Sequence, residues 1–378
     1  MKSFESLTSR FKRPGPKRVL SLDGGGIRGM ISLAYLQRIE DILKNRTQKE
    51  NYRLCDYFDL IGGTSTGAII AAALACGFTV QEITRLYLNL GTEIFAARNG
   101  VFGFYLKNKY DATPLERELL NLFGDIKIGD EGQNGLKTGL CIITKRLDTY
   151  STWPVTNHPD DIYFQRNQFL LRDLIRASTA APTYFSPELI GLGQEEVGTF
   201  VDGGLSMMNN PALQMYFIAT LKGYPFGWEK GADVLKIVSI GTGRRNARLN
   251  TTANTNPNVL EFAHLAPEQL LHDAAELVEI MMQYFSDSPT ARVIDKKFGN
   301  LEGEIAGNEA SFSYLRYNID LQPETLHALG FPNITELEIE NLMQLDQAEN
   351  KHTLHRIGRQ SANAIIQESH FNPTFDVH

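Results

Sequence analysis

Tyr57-Phe-Asp-Leu-Ile61, Gly62-Gly-Thr-Ser-Thr-Gly67 and Ala68-Ile-Ile-Ala-Ala-Ala-Leu-Ala75 follow one another as an apolar strand pattern, a glycine-rich turn and a helix of small residues able to lie close against a sheet. Within the turn, Gly63, Thr64, Ser65, Thr66 and Gly67 fill a G-x-S-x-G pattern in the strand-to-helix context that a nucleophile elbow needs. Glycines on either side permit a tight, strained turn that lifts the serine hydroxyl off the sheet edge, and the helix that follows aims its positive end at the reacting centre. Ser65 is therefore the candidate nucleophile. The plain alternative is a glycine-rich turn with an incidental serine.

Outward from this turn the same texture repeats. Arg18-Val-Leu-Ser-Leu22 reads as a strand, Asp23-Gly-Gly-Gly-Ile-Arg-Gly29 as a glycine loop, and Met30 to Leu43 as a helix with Ile31, Leu33, Leu36, Ile39 and Ile42 at helical spacing. Leu140–Thr144, Gly198–Val201 and Val234–Ile240 are further buried-strand candidates, separated by segments long enough for crossovers. This alternation predicts an α/β fold with a mostly parallel sheet covered by helices. From about Pro267 the texture turns helical, with Leu270, Ala274, Leu277, Met281 and Tyr284 on one stripe and further patterns over Ile334–Leu345 and Lys351–Ile366. Three regions are expected: a basic leading segment (1–17), a core (18–245, extending to about 320 at most) and a mostly helical extension (246–378) packed on it. Leu249 to Pro257 is the best loop candidate.

Gly24-Gly-Gly-Ile-Arg-Gly29 also satisfies G-x-G-x-x-G, so dinucleotide binding is a rival. That motif requires a second strand ending in an acid about 20 residues on, whereas Glu40 and Asp41 lie inside a helical pattern. The alternative use is an oxyanion hole, in which amides free of side chains converge on a carbonyl oxygen as it gains charge. Gly25 and Gly26 are the first choices, with Arg28 as a supporting cation that orients the loop or meets a phosphate; a merely structural, salt-bridging arginine is the other reading of Arg28.

A serine nucleophile needs a base, and histidine is the usual one. None of the eight histidines follows a strand in a glycine turn, so each reads as a surface or helix-packing residue. Phe200-Val-Asp-Gly-Gly204 instead places Asp202 at the end of a short strand, and Gly203 and Gly204 let other groups approach closely. A strand-end aspartate of a parallel sheet points into the crevice where such folds bind ligands. As a base, Asp202 needs contact with Ser65 and surroundings that raise its pKa. Standing alone, Asp-Gly would be a simple turn.

Composition narrows the classes. The 378 residues are 42% hydrophobic and 21% charged, which excludes disordered and fibrous chains. A net charge of −7 disfavours a nucleic-acid polymer as partner. Cys55, Cys76 and Cys141 are odd in number and lack metal or disulfide spacing, so no metal site is expected and a reducing compartment fits. Residues 1–18 carry six Lys and Arg but no signal-peptide core, and no apolar run is long enough to span a bilayer. The expectation is a soluble cytoplasmic protein that touches the membrane peripherally, with a leading segment that is a solvated tail or meets anionic headgroups. Ile94–Tyr105 and Met281–Phe285 are candidates for an interfacial surface, with core packing as the ordinary alternative.

Together, Asp23–Gly29, Gly63–Gly67 and Asp202-Gly-Gly204, in this order, resemble the patatin-like phospholipase family, its bacterial branch included. The likeness extends through Ile175–Pro187 and Ile240-Gly-Thr-Gly243, and less sharply around Tyr314–Asn318. It implies a three-layer α/β/α core, a Ser65–Asp202 dyad, an oxyanion loop of Gly24, Gly25 and Gly26 with Arg28, and metal- and cofactor-free hydrolysis of phospholipid acyl esters. Some bacterial members of the family resemble toxins switched on by a nucleotide second messenger in phage defence, which implies a cyclic-nucleotide activator and leaves the tail as an allosteric or homodimer surface. Nothing in residues 246–378 is a recognisable ligand motif. An esterase or thioesterase for soluble substrates, and a catalytically inactive lipid-binding module, are the alternatives.

Overall fold

Every residue of strand β1 (Lys17–Leu22) is buried, because the strand lies in the middle of a nine-stranded sheet covered on both faces. In a computed structural model, residues 5–94, 108–161, 168–245 and 259–376 are described. β1 pairs in parallel with β2 (Leu60–Thr64) on one side and β7 (Leu235–Ile240) on the other. The parallel part continues through β3 (Gly139–Arg146) beyond β2, and through β9 (Phe312–Tyr317) and the short β8 (Ser286–Asp287) beyond β7. Three pairings among the described residues are antiparallel: β4 (Ser151–Thr156) against β3, β6 (Glu196–Asp202) also against β3, and β5 (Glu188–Gly193) against β6.

Several elements differ from the sequence-based expectation. The apolar run at Tyr57 is the end of a short helix (Leu54–Tyr57), and the strand begins at Leu60 and includes Gly62 and Gly63. Those glycines belong to the strand because neighbours press on it: a Cβ on Gly62 would lie 2.3 Å from the Met215 Sδ, and one on Gly63 would lie 2.2 Å from the Gly67 carbonyl oxygen. The region after residue 245 contributes to the sheet itself. Its strand β9 pairs with β7, so the sheet runs past residue 245 to Tyr317. The helix Lys351–Ile365 packs on the helix Gly29–Thr47 so closely that a Cβ on Gly358 would sit 2.9 Å from that of Ala34.

The leading segment, where described, is folded onto the core rather than a free tail. Leu7–Lys12 forms a helix with Leu7, Arg10 and Phe11 buried. Arg10 donates to the Cys55 carbonyl at 2.6 Å, and Arg10, Arg13 and Arg18 surround the buried Asp59 carboxylate. Phe11 stacks on His158 and meets Phe226 at a tilt, so Arg10, Phe11, Arg13 and Arg18 serve internal ion pairing and aromatic packing.

The long helix Val259–Tyr284 turns a different face inward from the stripe read in the sequence. Ala274, Val278 and Met282 are buried, whereas Leu270 is 68% exposed and Leu277 and Tyr284 also face outward. Of the interfacial candidates, Met282 is core and Met281 and Phe285 pack against it. In the other candidate Ile94 is buried, and 95–105 lie outside the described residues, as does the loop 249–257. No helix among the described residues is long and apolar enough to cross a membrane.

Candidate active site

β3 is the ruler that assembles the site. One edge pairs with β4 along Cys141–Arg146, so the other edge is shared: β2 occupies it up to Thr64 opposite Ile143, and β6 takes over with Asp202 opposite Thr144. β2 runs parallel to β3 and β6 antiparallel, and their C-terminal ends therefore meet head-on. Ser65 and Asp202 stand at that meeting point. Asp202 does terminate a strand beside the crevice, but the strand is antiparallel to its neighbour rather than part of the parallel array.

Ser65 has φ 55° and ψ −125°, outside the regions comfortable for an L-residue, and begins the helix Thr66–Ala75. The strain is imposed by close packing. A Cβ on Gly67 would lie 2.3 Å from the Leu22 carbonyl oxygen, so only glycine lets this helix start against the end of β1. Thr64 Oγ1 donates to the Met208 carbonyl at 2.6 Å, and Thr66 Oγ1 pairs with the buried Tyr87 hydroxyl at 2.6 Å. The elbow is thus braced before and after the serine.

Asp202 is 7% exposed. Its Oδ1 accepts from the Gly204 amide at 2.8 Å, and Gly203 has no room for a side chain, since a Cβ would meet the Ile143 carbonyl oxygen at 2.5 Å. Burial pushes the Asp202 carboxyl up to about 6, against the downward pull of hydrogen bonds from the Gly204 amide and the Ser65 hydroxyl. A carboxylate with that pKa is ionised at neutral pH yet basic enough to share the hydroxyl proton. No described histidine hydrogen-bonds to either residue: His158 is sandwiched between Phe11 and Phe226, and His370 pairs with Tyr317.

The glycine loop abuts Ser65. A Cβ on Gly24 would lie 3.2 Å from that of Ser65. Gly24 is the frame of the loop rather than a donor, because its amide is committed to the Asn209 carbonyl at 3.0 Å and its carbonyl accepts from Thr242 Oγ1 at 3.0 Å. The amides of Gly25 and Gly26 donate to no group among the described residues, and Gly26 has φ 56°, a conformation that glycine adopts without strain. Arg28 donates its amide to the Gly25 carbonyl and one guanidinium nitrogen to the Met343 sulfur at 3.4 Å, so the contacts described for it hold the loop.

Three supports carry no signal of their own in the sequence. Ser178 accepts from the Ser65 amide at 2.9 Å and donates to the Ile143 carbonyl at 2.6 Å, while the Ala180 carbonyl accepts from the Asp202 amide at 3.0 Å. The end of the helix Leu171–Ser178 and the turn after it therefore hold both Ser65 and Asp202. Asn209 holds Gly24. Arg316 on β9 grips Asp23, the residue just before the glycines, with two hydrogen bonds of 2.9 and 2.6 Å, and donates to Ser239 at 2.7 Å. Both members of this ion pair are buried. Burial opposes the charge of Arg316, but Asp23 overrides it and holds the guanidinium's pKa above its ordinary value. Ser178, Thr242 and Arg316 all fall within stretches noticed for their family likeness; the partners of each are set by tertiary contact.

The family described as patatin-like phospholipase matches this chain over residues 20–216, which spans β1, the glycine loop, Ser65 and Asp202. The chain belongs to that family. Among curated relatives, a cGAMP-activated phospholipase of Vibrio cholerae is 30% identical over 235 residues, 60% of this chain and 64% of that protein. A cGAMP-activated phospholipase of Escherichia coli is 33% identical over 254 residues, 66% of this chain and 68% of that one. Patatin-17 of Solanum cardiophyllum is 29% identical, with 60% of each chain covered. The chain thus spans less than two thirds of the Vibrio and Solanum proteins. In this member of the family, Thr242 and Arg316, which hold the glycine loop, lie beyond the matched residues.

A pH profile tests the role of Asp202. If its carboxylate is the base, kcat/KM on a soluble ester falls about tenfold per pH unit below about pH 6, as protonation removes the acceptor. A profile flat from pH 5 to 8 would rule out Asp202 as the base.

Proposed function

We propose that this protein is a serine acyl hydrolase that releases fatty acids from membrane phospholipids, and that a cyclic nucleotide switches it on as an antiphage effector. The observation that carries the hydrolase is the meeting of a strained Ser65 with a buried Asp202 carboxyl raised to about 6, beside two uncommitted glycine amides. Ser65 Oγ attacks the ester carbonyl carbon while Asp202 takes the hydroxyl proton. The Gly25 and Gly26 amides receive the oxyanion, each such donor being worth roughly 3 kcal/mol in the transition state. Collapse of the tetrahedral intermediate breaks the ester bond, and the departing lysolipid alkoxide takes the proton from Asp202. Asp202 then accepts a proton from water as its oxygen attacks the Ser65 acyl ester, and collapse of this second intermediate frees the fatty acid while the Ser65 oxygen takes that proton back from Asp202. The switch is supported by the two relatives named cGAMP-activated phospholipases.

The test is fatty-acid release from mixed phospholipid vesicles, with and without cyclic GMP–AMP. Release by the wild-type chain, stimulated by the nucleotide and lost in Ser65→Ala, is the expected result. Hydrolysis of soluble thioesters with none of vesicles would move the substrate class to small acyl compounds.

A further inference from the structure

The C-terminal region reaches the oxyanion loop by a second route besides Arg316. After the helix Glu336–Met343 the chain crosses the loop: the Leu345 carbonyl accepts from the Ile27 amide at 2.8 Å and lies so near Gly26 that a Cβ there would be 2.3 Å away. The next residue, buried Asp346, accepts from the Tyr110 hydroxyl at 2.6 Å and is ion-paired with Lys109. Met343–Asp346 is therefore a strap whose position sets where Gly26 and Ile27 can lie.

Beside the strap is a cavity of about 600 Å³, within the range of small-ligand sites. Its lining includes Phe331, Asn333, Asn341, Asn350, Thr353 and Arg356. The Arg356 guanidinium lies over the Phe331 ring at 4.7 Å, and neither it nor Arg359 is ion-paired with a carboxylate among the described residues. His352, His355, Arg356 and Arg359 fall at i, i+3, i+4 and i+7 along the helix Lys351–Ile365; of these, Arg356 lines the cavity and the other three stand beside it on the same helix. Burial first, then the positive charge of Arg359 and His352, push the His355 pKa below its ordinary value. The acid of the lining, Glu338, is turned back onto the Thr335 amide and hydroxyl, both at 2.8 Å. The cavity thus offers an aromatic–guanidinium platform for a planar base, amide side chains for base edges, and positive charge for phosphate.

We infer that this cavity is the effector site, and that it binds a purine cyclic nucleotide through Phe331 and Arg356 and acts on the oxyanion loop through the strap. The inference rests on the nucleotide-activated reading above and adds the site and the route. Asn350 Nδ2 donates to both the Asn341 carbonyl and its side-chain oxygen at 2.8 Å, so the two helices that wall the cavity are tied together two residues before Met343. A ligand drawn in between them bears directly on the strap.

The experiment is calorimetric titration of the full chain with cyclic GMP–AMP, alongside nucleotide-stimulated lipid release, in wild type, Arg356→Glu and Phe331→Leu. Arg356→Glu is expected to weaken binding and raise the half-maximal activating concentration at least tenfold, and Phe331→Leu severalfold, while nucleotide-independent hydrolysis of a soluble nitrophenyl ester stays within twofold and reports that each variant is folded. If wild type binds and responds while both variants do so unchanged, the site is wrong and the regulation stands. If wild type hydrolyses lipid yet neither binds nor responds to cyclic GMP–AMP, cyclic di-GMP or cyclic di-AMP, both site and regulation are overturned and the hydrolase survives. Hydrolysis that persists in Ser65→Ala would sink the catalytic reading alone, since the titration is independent of it.

Discussion

Ser65→Ala is expected to reduce acyl release by roughly 10⁴- to 10⁶-fold, Asp202→Asn by roughly 10³- to 10⁴-fold, and the double substitution by no more than Ser65→Ala alone. Non-additivity is the discriminating part. A base that acts only by taking the Ser65 proton has nothing to do once the hydroxyl is gone, whereas an aspartate acting separately on substrate would add its own loss. Asp202→Asn also carries a stability signature of opposite sign. Folding raises this carboxyl from 3.8 to about 6, so the folded state holds its proton more tightly, and stability drains away as pH rises through that interval. At 1.36 kcal/mol per pH unit the ionised group costs about 3 kcal/mol above pH 7. Asparagine keeps the shape without the charge. The variant should therefore be more stable than wild type by up to about 3 kcal/mol at pH 8, with the gain roughly halved at pH 5, as denaturant unfolding at the two pH values would read. An Asp202→Asn protein that is fully active, or one equally stable at both pH values relative to wild type, would contradict the assignment.

Arg316→Met is expected to destabilise the fold by about 3–5 kcal/mol, because it leaves the buried Asp23 carboxylate without its ion-pair partner. Ser239 loses its guanidinium partner as well. Asp23→Asn combined with Arg316→Met removes both charges together and should recover much of that loss, so the double-mutant cycle should show a coupling of a few kcal/mol. Arg316→Lys retains the charge but not the two-pronged grip. It should remain folded and lower kcat with little change in KM, since Asp23 leads directly into Gly24, whose placement decides where the Gly25 and Gly26 amides point. A loss below about 1 kcal/mol in Arg316→Met, or a Lys variant with unchanged kcat, would mean that the pair neither stabilises the fold nor positions the loop.

Local chemistry is what the sequence displays. An elbow at Gly63–Gly67 is legible because the turn, the serine and the helix start are consecutive and because only glycine tolerates the packing around them; the strand, loop and helix from Arg18 to Leu43 are legible for the same reason. Asp202 could be singled out as a strand-end carboxylate, since Val-Asp-Gly-Gly carries that signal within four residues. Its relation to Ser65 could not. That depends on β6 running antiparallel and taking over the β3 edge at Thr144, a choice of pairing partner that leaves no mark in either strand's pattern. Ser178, Asn209 and Arg316 were hidden likewise, being ordinary polar residues whose partners lie 113, 185 and 293 positions away. The inward face of the Val259–Tyr284 helix was misread from its apolar spacing because two apolar stripes run along it and only contact with the sheet decides which is covered. Sequence by itself determined the α/β alternation, the elbow and the glycine loop, all built from neighbours along the chain. Only the tertiary structure decided which carboxylate the serine faces, which amides are left uncommitted and how the C-terminal third holds the loop, because those are long-range pairings selected by burial and polar satisfaction rather than by local conformational preference.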